Sequence, residues 1–315
     1  MKRPRSRRVP RGARGAAVFA VLPFLIFASC VTAPKSPEPL GLGAEYLPLE
    51  PGAALYMIMD VGKARPVLDG VNFLEMGEGR AKQVLDMTKT AVTAVYPPGP
   101  KRFQAVAWGK YPAFRAGLSF AFSSEWKKAK SVSGASYWRS GKAGLSLSFS
   151  ASQAYVSDGD PFALSPGTAL PEDFGAFSRG SVLACWFPEP RVPIDRLIAA
   201  LGLPLQIPAE EVLIGLYAAG EKKYEALIRI EMPSSSQARA VAALLNMTRN
   251  FLSGLENPAQ APDADGGAPL DPAALAALLF ANLPVQDGVF LSIKTAPLSE
   301  TTASLLLQIL SVYSY

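Results

Sequence analysis

Glu211-Val-Leu-Ile-Gly-Leu-Tyr-Ala-Ala-Gly-Glu-Lys-Lys-Tyr-Glu-Ala-Leu-Ile-Arg-Ile-Glu231 is the stretch on which the fold turns. Glu211 to Ala218 reads as an apolar strand. Gly220-Glu221-Lys222 supplies the turn, and Lys223 to Glu231 returns as the partner strand, so the unit is an antiparallel hairpin. Before it, Ser181 to Phe187 is another apolar strand, and Pro193 to Leu201 reads as a helix opened by proline at its first turn. After it, Pro233 to Leu252 reads as a helix capped by Ser234 or Ser235. Gly288 to Thr295 closes the unit as a strand, with apolar residues alternating in Val289-Phe-Leu-Ser-Ile293.

The earlier part of the chain gives the same order of elements. Gly52 to Asp60 is an apolar strand. Gly79 to Lys89 has helical patterning, with Ala81, Val84, Leu85 and Thr88 on one side. Ala91 to Tyr96 and Arg102 to Gly109 form a hairpin about Pro97-Pro98-Gly99-Pro100, and Pro112 to Phe122 is a short helix. Ser136 to Arg139, Gly144 to Ser150 and Gln153 to Ser157 are candidate closing strands, with clear alternation in Leu145-Ser-Leu-Ser-Phe149. The order βαββαβ is that of ferredoxin-like units. The expected fold class is therefore α+β: two ferredoxin-like half-repeats, mostly antiparallel sheets, and helices on one face. The first module covers 52–178. The second covers 179–315 and contains a Pro/Gly/Ala-rich surface loop at 257–269. Ser299 to Tyr313 reads as a capped terminal amphipathic helix with Leu305, Leu306, Ile309 and Val312 on one face. Its polar face lacks the Lys/Arg of a membrane-surface helix, so it is expected to pack on the core.

The N-terminus carries an address. Lys2, Arg3, Arg5, Arg7, Arg8, Arg11 and Arg14 precede an apolar run from Ala16 to Ala28, followed by Ser29 and Cys30. A basic segment, a short apolar run and small residues before a cut make a secretory signal over 1–29. The run is too short for a spanning helix, which needs about 20 residues. Phe27-Ala28-Ser29-Cys30 resembles the signal of bacterial lipoproteins, with a small residue before an invariant cysteine. Phe27 stands where Leu is usual, and relaxed boxes of this kind are similar to those of spirochaete lipoproteins. The resemblance covers about a tenth of the chain. It implies cleavage before Cys30 and a diacylglyceryl thioether on its sulfur. Such an anchor holds a protein on a membrane without a spanning helix, because two or more acyl chains bind stably at about 0.8 kcal/mol per buried methylene. Residues 30–51, with Pro34, Pro37, Pro39, Pro48 and Pro51, form an extended tether. The region beyond it is similar in style to spirochaete envelope lipoproteins, with no single motif carrying the match.

Composition removes several classes of function. The net charge of +5 belongs to the signal: seven of the 31 basic residues and none of the 26 acidic ones precede Cys30, which leaves 24 basic against 26 acidic and a net of −2. A near-neutral body gives no warrant for a nucleic-acid partner. With no histidine, Ser-His-Asp and Cys-His catalysis and histidine metal ligation are excluded. Cys185, the second of two cysteines, sits in the apolar run Val182 to Phe187 and reads as a buried structural thiol. Gly77-Glu78-Gly79-Arg80 lacks the ending of a phosphate loop and reads as a helix-start turn. Asp158-Gly159-Asp160 reads as a tight turn rather than a metal loop, and Lys127-Lys128-Ala129-Lys130 as a solvated face. Asn246-Met247-Thr248 is a glycosylation sequon by letter alone.

Tyr111, Phe114, Phe120, Phe122, Trp126, Tyr137 and Trp138 crowd one region, either as core or as an apolar groove for a ligand or partner. The expected function is a non-catalytic binding, scaffold or assembly role for a lipoprotein anchored to the cell envelope through Cys30. No catalytic residue, cofactor or metal site is expected. One alternative is a carrier or sensor of an apolar ligand such as a lipid, with a dry aromatic-lined cavity. Another is a hydrolase working through two carboxylates about 5–10 Å apart across a cleft.

Overall fold

Strands that read as unbroken apolar runs belong where both sheet faces are covered, and strands that alternate belong nearer a wet face. The structure, a computed structural model, describes residues 46–69, 85–99, 102–162, 167–190, 195, 207–254 and 278–313. The first part of the chain holds β1 (Tyr46–Leu47), β2 (Leu55–Asp60), α1 (Val61–Asp69), β3 (Thr88–Val95), β4 (Phe103–Gly109), α2 (Ala113–Ala121), β5 (Trp126–Lys130), β6 (Ser136–Ser140), β7 (Leu145–Phe149), β8 (Gln153–Ser157), β9 (Thr168–Ala169) and α3 (Phe174–Ser178). The second holds β10 (Leu183–Phe187), β11 (Glu211–Gly220), β12 (Lys223–Glu231), α4 (Ser235–Gly254), β13 (Val285–Asp287), β14 (Phe290–Lys294), β15 (Leu298–Ser299) and α5 (Glu300–Tyr313).

Thirteen of these strands form one antiparallel sheet, in the order β13-β14-β12-β11-β10-β2-β3-β4-β8-β7-β6-β5, with β15 also on β12. The apolar runs of β2 and β10 lie at its centre and pair with each other, Tyr56 opposite Trp186 and Met57 opposite Cys185. On one face α1, α4 and α5 cover Met57, Leu183, Cys185, Ile214 and Leu216, using Val67, Leu68, Ala238, Leu245 and Leu306. On the same face α2 covers β5, β7 and β8 through Ala116 and Phe120. On the opposite face, Leu47, Leu49, Phe174 and Phe177 cover Tyr56, Val92, Val106 and Leu213. The α+β class is observed. The four longer helices share one face, and α3 corrects the one-face expectation by packing on the other.

A buried polar knot ties the covering strap of residues 46–54 to the sheet. Gln104 is fully buried; its Oε1 accepts from the Glu50 amide at 2.9 Å and the Tyr96 hydroxyl at 3.1 Å, and its Nε2 donates to the Pro161 carbonyl at 3.0 Å. Tyr56 and Tyr96 both donate to the Glu50 carbonyl at 3.0 Å. Each buried polar group of the glutamine therefore has a partner, which is the condition for burying it at small cost.

Pairing within each half departs from the ferredoxin-like pattern. That pattern splits a βαβ unit by slotting a strand between two parallel ones. Here β2 and β3 flank α1 in sequence and are direct antiparallel neighbours, and β10-β11-β12-β14 is an antiparallel run just as β2-β3-β4-β8 is. The two segments meet edge to edge at β2 and β10, so 52–178 and 179–315 share one sheet and one core cluster.

One helix is displaced from its expected position. Thr88 and Lys89 lie in β3, residues 85–87 form a single helical turn, and 79–84 lie outside the described residues. A helix, α1, instead starts at Val61. The Asp60 carboxylate accepts from the Lys63 amide at 3.2 Å, the hydrogen bond of an N-cap, and Val61, Ala64, Val67 and Leu68 are buried at helical spacing. The other caps read well from sequence: Ser234 Oγ accepts from the Gln237 amide at 3.3 Å, and Ser299 Oγ from the Thr302 amide at 3.2 Å. The terminal helix packs on the core as expected, but through Ala303, Leu306 and Leu307, with Ser304 Oγ donating to the Val67 carbonyl, while Leu305 is only half-buried. The side chains of Ile309 and Val312 lie outside the described residues, as do the span of the expected helix Pro193 to Leu201 at all but residue 195 and the whole span 257–269 of the expected loop.

Candidate functional site

Cys30 and the signal before it lie outside the described residues, which begin at Tyr46. Cys185 is fully buried in β10, and burial pushes its thiol up to about 12. A thiol held protonated is neither nucleophile nor metal ligand, so Cys185 is packing material. Gly77 to Arg80 lie outside the described residues. In Asp158-Gly159-Asp160 both carboxylates bind backbone: Asp158 accepts from the Arg102 amide before β4 at 3.0 Å, and Asp160 from the Phe162 amide in its own turn at 3.0 Å. Among the described residues there is no group of three or more Cys, Asp or Glu that could hold a metal ion, and no helix long and apolar enough to cross a membrane. Asn246 and Thr248 lie on α4, where Thr248 Oγ1 donates to the Leu244 carbonyl at 3.0 Å.

The aromatic crowd divides in two. Phe120 is the hub of a filled cluster, with ring centroids 4.7 Å from Trp126, 5.6 Å from Phe149 and 6.0 Å from Trp138. These rings occupy the place where a dry cavity for an apolar ligand was expected. Tyr111 is buried and its hydroxyl shares a hydrogen bond with Thr88 Oγ1 at 3.1 Å; burial raises its pKa to about 12. Tyr137 is buried as well. The remainder points outward. Helix α2 buries Ala116 and Phe120 but presents Phe114, Leu118 and Phe122 at 74%, 43% and 87% exposure. Spaced i, i+4 and i+8, they run along one side of the helix and its C-cap. Single exposed apolar residues are ordinary, whereas these three lie in one line. Strand β5, against which α2 packs, is the sheet's last strand, and its Lys127 and Lys128 are exposed as residues that block edge pairing commonly are.

A polar cluster on the opposite face was not legible in advance. Glu211 is half-buried; its Oε2 accepts from the Trp186 indole N–H at 2.9 Å, and it stands in register with Glu231. Arg229 pairs with Asp173 at 2.6 Å, and its guanidinium lies 4.0 Å from the centre of the Phe290 ring. Burial raises the Glu211 pKa, and Glu231 and Asp173 add to the rise, while the Trp186 hydrogen bond and Arg229 oppose it. Of these three acids Asp173 is engaged by Arg229 and Glu211 by Trp186.

No family model matches the chain, and no curated protein matches it. Its fold is similar to that of TP0453 in three crystal forms. Crystal form III is 16% identical with a TM-score of 0.55, over 87% of this chain and 99% of that one. Crystal form IV is 18% identical with a TM-score of 0.54, over 85% of this chain and 98% of that one. Crystal form I is 18% identical with a TM-score of 0.52, over 88% of this chain and 98% of that one. At such identities the likeness concerns the fold: mixed helix and strand with a large antiparallel sheet.

Proposed function

We propose that this chain is a cell-envelope lipoprotein, anchored to a membrane through Cys30 and working by binding or scaffolding rather than by catalysis. The observation that carries the reading is the exposed line of Phe114, Leu118 and Phe122 on a helix whose other side is well packed. An apolar line left in water costs solubility and is retained where a partner covers it. A non-catalytic role is supported by the lack of histidine in the sequence, by the sealed Cys185, and by the engagement of Asp173 with Arg229 and of Glu211 with Trp186. The anchor rests on Phe27-Ala28-Ser29-Cys30 and the basic segment before it. The antiparallel runs β2-β3-β4-β8 and β10-β11-β12-β14 read as copies of one half-repeat unit, joined at their first strands. The test is metabolic labelling with an alkyne fatty acid in cells expressing the full chain. The wild type is labelled and fractionates with membranes, and Cys30→Ala loses both the label and the processing. Labelling that survives Cys30→Ala overturns the anchor.

A further inference from the structure

We infer that the open cavity beside the β5–β6 edge hairpin binds a phosphate group. The cavity measures about 650 Å³ and is lined in part by Ser124, Glu125, Lys127, Arg139 and Lys142. Three cations face one carboxylate, and Glu125 Oε1 already accepts from Ser140 Oγ at 2.8 Å. Lys127 and Arg139 are direct cross-strand partners. Such partners share a face with Cβ atoms about 4.5–5.5 Å apart, where like charges destabilise the pair. Among the described residues none of Lys127, Arg139 and Lys142 has a counter-ion. The same transverse row continues to Ser146, the register partner of Arg139 on β7, whose hydroxyl is buried with no hydrogen-bond partner among the described residues. Three successive positions of one row thus hold polar groups that the described residues do not satisfy.

Edge protection accounts for lysines on β5 but not for Arg139, one strand further in, or for Lys142 in the following turn. A phosphate accounts for all three. A guanidinium fork takes two of its oxygens in parallel, and ammonium groups take the rest as point charges. The cavity lies within the roughly 300–1,000 Å³ range of small-molecule sites. That is more room than a bare anion fills, and Ala129 and Gly141 complete the lining, so the ligand is a phosphate ester with a small organic body. A free phosphomonoester and the headgroup of an anionic phospholipid both present this chemistry. The inference does not rest on the envelope reading.

The test uses the full chain in detergent. Binding of inorganic phosphate and of sn-glycerol 3-phosphate is followed by calorimetry. Flotation is followed with phosphatidylcholine vesicles, with and without phosphatidylglycerol. The double variant Lys127→Gln/Arg139→Gln is expected to lose at least ten-fold in affinity for glycerol 3-phosphate, and Lys89→Gln on β3 is expected to change nothing. Without phosphate the double variant is expected to melt at the same temperature as the wild type or higher, because a repulsion is relieved. Tight glycerol 3-phosphate binding with no phosphatidylglycerol increment assigns the free ester; an increment that the double variant loses assigns the headgroup. Equal affinity in wild type and double variant, silence toward all three probes, or a lower melting temperature of the double variant without phosphate would overturn the inference.

Discussion

The indole N–H of Trp186 donates to Glu211 Oε2 at 2.9 Å, joining β10 to β11 on the face opposite the long helices. The bond holds a carboxylate in a half-buried position that disfavours its charge, and Glu231 stands in register beside it. Glu211 therefore takes its proton more readily in the folded chain than in the unfolded one.

That shift sets a pH dependence. A carboxyl with a raised folded pKa contributes stability that is fully present below its ordinary value and is lost as pH rises through the folded value. The loss begins near the reference value of 4.5 and extends upward. Glu211→Gln keeps an acceptor for Trp186 and removes the titration. The thermal midpoint of wild type minus that of Glu211→Gln is expected to fall as pH rises from 4 to 8. A difference that stays flat across that range contradicts the raised pKa.

Gln104 supports the strap over β3 and β4 through three hydrogen bonds at zero exposure. Gln104→Ala removes the acceptor of the Glu50 amide and the donor to the Pro161 carbonyl, while the Tyr96 hydroxyl keeps its bond to the Glu50 carbonyl. Unsatisfied buried groups cost about 1–3 kcal/mol each in the fully buried case. A loss of at least about 2 kcal/mol in urea unfolding is expected, given partial re-solvation. A loss below about 0.5 kcal/mol, the range of ordinary surface changes, would show that the knot holds nothing.

On α2 two phenylalanines six residues apart are expected to behave oppositely. Phe120→Ala empties the hub of the Trp126, Trp138 and Phe149 cluster and is expected to cost about 3–5 kcal/mol, as large-to-small core changes do. Phe114→Ser, at 74% exposure, is expected to change stability by less than about 0.5 kcal/mol. It should instead lower binding of a hydrophobic dye to the folded chain. Comparable destabilisation by the two would mean that the line on α2 is structural.

Cys185 is expected to resist alkylation. With its thiol at about 12 and no exposed atom, iodoacetamide at pH 8 should not label it in the folded chain and should label it fully in urea. Labelling of the folded chain at a rate comparable to that of a free thiol would mean that β10 is accessible.

Legibility in the sequence followed the range of each interaction. Leu145-Ser-Leu-Ser-Phe149 and Val289 to Ile293 announced strands because alternation is local. Caps at Ser234 and Ser299 were readable because the donor lies three residues on. Helix α1 was hidden by Gly62 and Pro66, residues that ordinarily argue against a helix, while Asp60 and the packing of Val67 and Leu68 favour one. The central pairing was out of reach: Tyr56 and Trp186 are about 130 residues apart, and nothing in either run names its partner. The aromatic crowd was visible as letters, but only the sheet beneath α2 sorts Phe120 inward and Phe114 outward. The Trp186, Glu211, Arg229 and Asp173 cluster draws on four separate elements, and no spacing rule joins them.

The pairing of β2 with β10 also governs how the chain becomes a folded molecule. A nascent chain that has completed β2 and β3 still lacks the strand that closes the other side of Tyr56 to Met59, and that strand arrives only at residues 183–187. Contacts of such long sequence separation slow folding, because chain entropy is lost before the contact is gained. Until then β2 offers an open apolar edge, the kind of template on which chains aggregate. A truncation that ends before residue 183 keeps that edge open permanently. The centre of the sheet is therefore secured only after more than half of the chain has been made, and neither half is expected to be a stable cut-down version of the whole.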